Sequence, residues 1–278
     1  MKEYLITGEG TSLYGLFDSH AHYFDDWFGD ESDALVDELF DRGLGGIINI
    51  GTNNENSRVC IEQAKRHEKM WCAVGIHPED CVYCKRSIDE ELEAIEELVS
   101  DEAVRRANKI VALGEIGLDY HVEGCDEAMK SLQKEYFRRQ MELAKRLGMP
   151  VVIHDREAHG DCFDMALAFP NVRGVFHSYS GSAEMARELT RRGWYISFSG
   201  VVSFKNAPKV KEVAATVPHD KILSETDAPY LAPHPHRGKR NHSGLMIHTV
   251  NAVAEQMGVS PDIAAKIIRD NTRSLFGI

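Results

Sequence analysis

His20 and His22 stand two residues apart just beyond the apolar pair Leu16-Phe17. In an extended segment, residues i and i+2 project to one side, so both imidazoles can grip one cation. Four more side chains with metal-ligand chemistry follow: Glu115, His154, His177 and Asp227. Each ends an apolar run: Ile110-Val111-Ala112-Leu113, Val151-Val152-Ile153, Val175-Phe176 and Ile222-Leu223 lead into them in turn. Any one of these residues alone could be an ordinary buried, hydrogen-bonded group. Their repeated placement points to metal. Four imidazoles and two carboxylates suit two divalent cations of the Mg²⁺, Mn²⁺ or Zn²⁺ kind, and such a pair supports hydrolysis.

The elements that must position these groups are short apolar runs alternating with longer charged, amphipathic ones. Runs near Leu16 and at 45–51, 70–76, 110–113, 150–153, 172–176, 194–198 and 221–224 read as about eight strands. Continuous apolar runs suit parallel strands buried on both faces. Between them, 32–42 and 135–147 carry apolar residues at helical spacing. Ser87-Ile88-Asp89-Glu90 is a capping box, and Ser260-Pro261 an N-cap followed by Pro, each opening a helix. This alternation predicts an α/β fold, a single (β/α)8 TIM barrel of the amidohydrolase type, spanning 1–278 with an N-terminal extension at 1–14. A doubly wound sheet shows the same alternation, but it would spread ligands from strands one, four, five, six and eight along its edge. A barrel gathers them at one mouth.

The formal net charge is −12, so nucleic acid cannot be held by a basic whole-molecule field. A phosphodiester would have to be gripped locally. The opening residues contain no long apolar stretch and no run has the length of a membrane span, which predicts a cytoplasmic protein with reduced thiols. Cys81-Val82-Tyr83-Cys84 is a lone CxxC without the second pair that a zinc knuckle needs, and reads as a coincidental spacing on a loop. Nothing calls for an obligate protein partner.

Glu115 lies between Gly114 and Ile116-Gly117. A carboxylate there is costly to bury unless it meets positive charge, and its two oxygens could bridge two cations. Asp227 could hold a metal and also deprotonate water. Glu225 should lie deeper on the same face, and Asp119 is a further supporting carboxylate. Arg156, Lys205, Arg237 and Lys239 are candidate phosphate-holding groups, expected to make the mouth locally positive. His77, before Pro78, is expected either to contact substrate or to orient its loop.

These segments resemble the TatD-type metal-dependent deoxyribonucleases, within the larger metal-dependent hydrolase group. The resemblance is carried by Asp18-Ser19-His20-Ala21-His22, Gly75-Ile76-His77-Pro78, Gly114-Glu115-Ile116-Gly117-Leu118-Asp119, and Ile153-His154-Asp155-Arg156. It continues through His177-Ser178-Tyr179-Ser180-Gly181, Glu225-Thr226-Asp227-Ala228-Pro229-Tyr230 and His236-Arg237-Gly238-Lys239-Arg240-Asn241. It covers nearly everything from about residue 15 onward. It implies a two-metal centre in which His20, His22 and Asp227 hold one metal, His154 and His177 the other, and Glu115 bridges. It also implies hydrolysis of DNA phosphodiesters, often with 3′-to-5′ polarity; a deep, narrow barrel mouth would in addition favour single-stranded ends over the interior of a duplex. The chain departs from the family's pattern where Tyr23-Phe24-Asp25-Asp26 follows the HxH motif in place of Leu-Asp. Competing readings are an amidohydrolase, lactonase or phosphotriesterase, an ester hydrolase acting on mischarged tRNA, and a non-enzymatic binding protein. The first class commonly bridges its metals with a modified lysine at the fourth strand, where this chain has Glu115.

Overall fold

The computed structural model describes residues 13–278, so residues 1–12 of the expected N-terminal extension lie outside the described residues. Eight strands form one parallel sheet in sequential order: β1 (Phe17–Ala21), β2 (Gly46–Ile50), β3 (Met70–Val74), β4 (Ile110–Asp119), β5 (Val151–Arg156), β6 (Gly174–Phe176), β7 (Tyr195–Phe198) and β8 (Ile222–Ser224). Helices cover them: α1 (Ser32–Asp41), α2 (Asn54–Arg66), α3 (Pro78–Tyr83), α4 (Ile88–Val99), α5 (Glu102–Ala107), α6 (Glu127–Leu147), α7 (His159–Ala168), α8 (Ala183–Arg191), α9 (Pro208–Thr216), α10 (Met246–Met257) and α11 (Pro261–Phe276). This is the expected barrel, and the sequential strand order excludes the doubly wound sheet. No helix among the described residues is long and apolar enough to cross a membrane.

Two apolar layers hold the strands. One fills the barrel with Ile48, Ile50, Ala73, Ala112, Val152, Val175 and Leu223, joined by Leu275 and Phe276 from the end of α11. The other lies between sheet and helices, with Leu35, Leu39, Ile95, Phe137 and Met141 among its helical members. The alternation along β2 shows the logic: Ile48 and Ile50 point inward, whereas Asn49 faces α2 and donates to Gln63 at 2.7 Å.

The barrel closes between β1 and β8 with little ladder, and a carboxylate does much of the joining. Only the bridge Ala21–Ala228 pairs these edges. Asp227 N–H donates to the His20 carbonyl at 2.9 Å and His22 N–H to that of Ala228 at 2.7 Å. Below them, the fully buried Asp18 accepts from Thr226 N–H at 3.0 Å, the Thr226 hydroxyl at 2.6 Å and the Ser243 hydroxyl at 2.6 Å. Asp18 thereby sets where His20, His22 and Asp227 stand relative to one another. Asp18→Ala leaves these three buried donors and the His20 N–H, 3.2 Å from Asp18 Oδ1, without their acceptor and should cost about 3 kcal/mol of stability. Urea unfolding of the metal-free protein checks this, and a loss below about 0.5 kcal/mol would contradict it.

Two elements differ from expectation. β4 runs on to Asp119, with an irregular register against β5 between Leu113 and Ile116, so Glu115 lies within a strand and not beyond its end. α6 begins at Glu127, capped by the Asp126 side chain, two turns before the expected 135. The CxxC spans the end of α3: Cys81 is buried within the helix and Cys84 is its C-cap, both as free thiols.

Candidate metal centre

The strand ends converge on two adjoining clusters that share Glu115. In the first, His20 Nε2 and His22 Nε2 lie 3.0 Å apart. Glu115 Oε2 is 3.3 Å from His20 Nε2 and 3.6 Å from His22 Nε2, and Asp227 Oδ1 is 3.6 and 3.4 Å from the same atoms. In the second, His154 Nδ1 and His177 Nε2 are 3.1 Å apart, and Glu115 Oε1 is 2.6 and 2.9 Å from them. One oxygen of Glu115 therefore faces each cluster. His20 and His177 stack across the divide with ring centroids 4.0 Å apart.

The outward ring nitrogens test whether these imidazoles suit a cation. His22 Nδ1 contacts the Ile50 carbonyl at 2.8 Å, His177 Nδ1 contacts Glu225 at 3.1 Å, and His154 Nε2 contacts Asp119 at 3.2 Å. Each partner is an acceptor, so each outward nitrogen carries the proton and a neutral ring turns its lone pair inward. Glu225 also accepts from Ser178 N–H at 2.8 Å, which fixes its own position. The roles expected of Glu225 and Asp119 as supports match this geometry. The donor set, four imidazole nitrogens and two carboxylates, fits divalent cations of the first transition row.

His77 follows the opposite rule. Its Nδ1 accepts from Glu79 N–H at 3.1 Å and so caps α3. A neutral His77 therefore carries its proton on Nε2, which lies 3.6 Å from Glu115 Oε1. Proximity groups His77 with Glu115 and His154 as candidate ligands, with ligand atoms within 4.8 Å of one another. The tautomer argues against ligation and presents an N–H donor to whatever enters. Burial and the neighbouring His154 push His77 down to about 3, which keeps it neutral.

The cluster is electrostatically taut. Burial opposes ionisation of Glu115, but the surrounding imidazoles, His177 foremost, and the bond to His154 hold its carboxyl well below the usual range. Burial likewise opposes charge on His154, yet its bonds to Asp119 and Glu115 push it up to about 9. His177 is raised well above its ordinary value, with Glu115 and Glu225 overcoming burial. With no cation present, imidazolium protons supply the positive charge the carboxylates require. Metal and proton then compete for the same nitrogens, so metal affinity should rise with pH up to about 9. At pH 7, metal loading should release about one proton or more per chain, read by calorimetry in buffers of different ionisation enthalpy. Loading without proton release would contradict this.

Asp227 lies three residues past β8 with φ of 58°, in the left-handed region that few non-glycine residues occupy. That conformation is held by its N–H bond to His20 and by the bond from Tyr230 N–H to its own carbonyl at 2.8 Å.

A cleft of about 780 Å³ opens above both clusters. His22, His77, Glu115, Asp119, His154, Arg156, His177 and Asp227 line it. Lys205, Arg237 and Lys239 are not among its lining residues. All three are exposed, and the Arg237 guanidinium lies 4.6 Å from the Phe204 ring centroid. The lining instead adds carboxylates from Asp25, Glu79, Asp80 and Asp155, together with Phe24, Tyr179 and Tyr230. The aromatic and acidic rim went unforeseen. Its visible signal was the run Tyr23-Phe24-Asp25-Asp26-Trp27-Phe28 directly after the HxH motif.

Comparison with known proteins agrees with this geometry. The family model described as TatD related DNase matches residues 17–277. A protein of Bacillus subtilis named as the uncharacterized metal-dependent hydrolase YabD is 36% identical over 95% of this chain and 99% of its own length. A 3′-5′ ssDNA/RNA exonuclease TatD of Enterobacter lignolyticus is 29% identical over 95% of this chain and 99% of its own length. The crystal structure of YJJV, a TatD homologue from Escherichia coli K12, superposes with a TM-score of 0.86 at 28% identity, covering 96% of this chain and 99% of that one. The chain thus belongs to the TatD-related DNase family and is a metal-dependent hydrolase.

Proposed function

We propose that the chain acts as one hydrolase domain that removes nucleotides from the 3′ end of single-stranded DNA. The observation that carries this reading is Glu115, whose two carboxylate oxygens each face a separate pair of imidazole nitrogens. On this reading His20, His22 and Asp227 hold one cation, His154 and His177 hold the other, and Glu115 spans both. Two divalent cations, when bound, supply Lewis acidity toward the phosphoryl oxygens and a water of lowered pKa.

The protein's own groups do the rest. Asp227 accepts the proton of the attacking water, since its carboxylate borders the first cluster and also lines the open cleft. His77 donates its Nε2 proton in a hydrogen bond to a non-bridging phosphoryl oxygen. Arg156, whose guanidinium lies 3.9 Å from Asp119, holds a neighbouring phosphate at the cleft wall. Lys205, Arg237 and Lys239 touch the strand only outside the cleft. With so few cations in reach, binding should depend weakly on salt. The name of the Enterobacter relative supports both the single-stranded substrate and the polarity.

The test is turnover of the metal-reconstituted protein on a matched panel: linear single-stranded DNA, circular single strand, duplex, RNA, a bis-aryl phosphodiester, and simple amides and lactones. The expected result is metal-dependent release of nucleotides from linear single strands, with circles resistant. Linear strands left intact by Mg²⁺, Mn²⁺ and Zn²⁺ while an amide or lactone turns over would replace this reading with an amidohydrolase one.

A further inference from the structure

The two large aromatic side chains at the rim are more exposed than side chains of their kind usually are. Trp27 is 56% and Tyr230 47% exposed, although they come from loops 203 positions apart in the chain. They meet each other with ring centroids 6.2 Å apart and planes tilted by 39°. Tyr230 lines the cleft, and its ring lies 6.3 Å from that of His22 in the first cluster. His22, Tyr230 and Trp27 thus form a line of rings leading outward from the metal centre.

Their exposure does not reflect loose attachment. One carboxylate holds both: Asp25 accepts from Trp27 N–H at 2.8 Å through Oδ1, and from the Tyr230 hydroxyl at 2.5 Å through Oδ2. The Trp27 carbonyl accepts from Arg240 at 2.6 Å. The Trp27 backbone and the Tyr230 ring are therefore set in place, and the two rings meet while their faces stay open to solvent, at a cost in exposed apolar area that a purely structural role would not require.

We propose that Tyr230 and Trp27 are a stacking platform for the nucleobase that adjoins the scissile phosphodiester. This proposal rests on the phosphodiesterase reading above. The charge of the cleft argues for it. Asp25, Glu79, Asp80 and Asp155 line the cleft beside Arg156, so a polyanion gains little there from phosphate neutralisation. Beyond what the bound cations, His77 and Arg156 supply at the phosphates nearest the centre, affinity must then come from the bases. Stacking on aromatic faces tolerates any sequence and needs unpaired bases, which selects single strands over duplex.

Trp27 also reports on the test. Of the three tryptophans, Trp194 is buried and Trp71 is half-buried, leaving Trp27 as the exposed one. In the Mn²⁺-loaded protein, a short oligodeoxynucleotide should quench Trp27 emission, and the same strand with abasic terminal positions should not. The quench should vanish in Trp27→Phe. Trp27→Ala should raise KM for single strands roughly tenfold with a smaller change in kcat, and Trp27→Phe should restore most of that loss. Equal quenching and equal KM for the abasic strand would overturn the proposal. So would Trp27 emission that responds to protein concentration and not to nucleotide, which would mark a self-association contact. The emission signal does not need hydrolysis. Base-dependent quenching without any DNA cleavage would therefore support the platform while removing the nuclease reading. Cleavage without base-dependent quenching would do the reverse.

Discussion

Glu115→Gln should abolish turnover, by on the order of a thousandfold or more, and strip metal from the centre. The amide keeps the shape of the carboxylate but removes its charge and one of its acceptor oxygens. Glu115 is 3% exposed and has five imidazoles around it, four of them in the two clusters, so its negative charge is the common counter-charge of both clusters. Cations supply several kcal/mol of transition-state stabilisation, and about 1.4 kcal/mol corresponds to a tenfold change in rate. Elemental analysis after dialysis should show less than full metal content in the variant. Full metal content together with wild-type hydrolysis would remove the bridging role.

Asp227→Asn should behave differently. The amide oxygen can still approach the first cluster, so metal content should fall less than in Glu115→Gln. The proton acceptor, however, is gone. General-base removal costs roughly a hundredfold to ten-thousandfold in rate, and that loss should appear in kcat more than in KM for DNA. The left-handed backbone at Asp227 aids the comparison, because Asn also tolerates that conformation and the fold should survive. A kcat within about tenfold of wild type would assign the proton transfer to another group.

The convergence of these side chains was legible because parallel strands buried on both faces announce themselves as apolar runs, and the candidate ligands follow those runs. His154 after Val151-Val152-Ile153 is the plainest instance. Glu115 was expected beyond the end of its strand, because Gly114 and Gly117 end the apolar pattern while β4 continues. The first turns of α6 were invisible for a related reason. Gln133 is the one residue buried between 127 and 134, and it is polar. It is buried because its side chain accepts from Asp119 N–H at 2.9 Å and donates to the Asp119 carbonyl at 2.8 Å, a tertiary pairing that leaves no periodic trace.

The rim was the least legible part. Arg237 and Lys239 follow Asp227 closely in sequence but are not among the residues that line the cleft, and Arg237 lies over the face of Phe204. Trp27 and Tyr230 meet only because β1 and β8 close the barrel, and no local pattern encodes that contact. The supporting bonds of His77 were equally hidden. Its position before Pro78 left open whether it holds the loop or faces the substrate, and the structure shows its Nδ1 capping α3 with its Nε2 turned toward Glu115.

The most direct test of the two-metal centre is anomalous diffraction from crystals soaked in Mn²⁺. The expected result is two peaks roughly 3.5–4 Å apart, one among His20, His22 and Asp227, the other between His154 and His177, each touching one oxygen of Glu115. A single peak, or two peaks of which neither contacts Glu115, would contradict it.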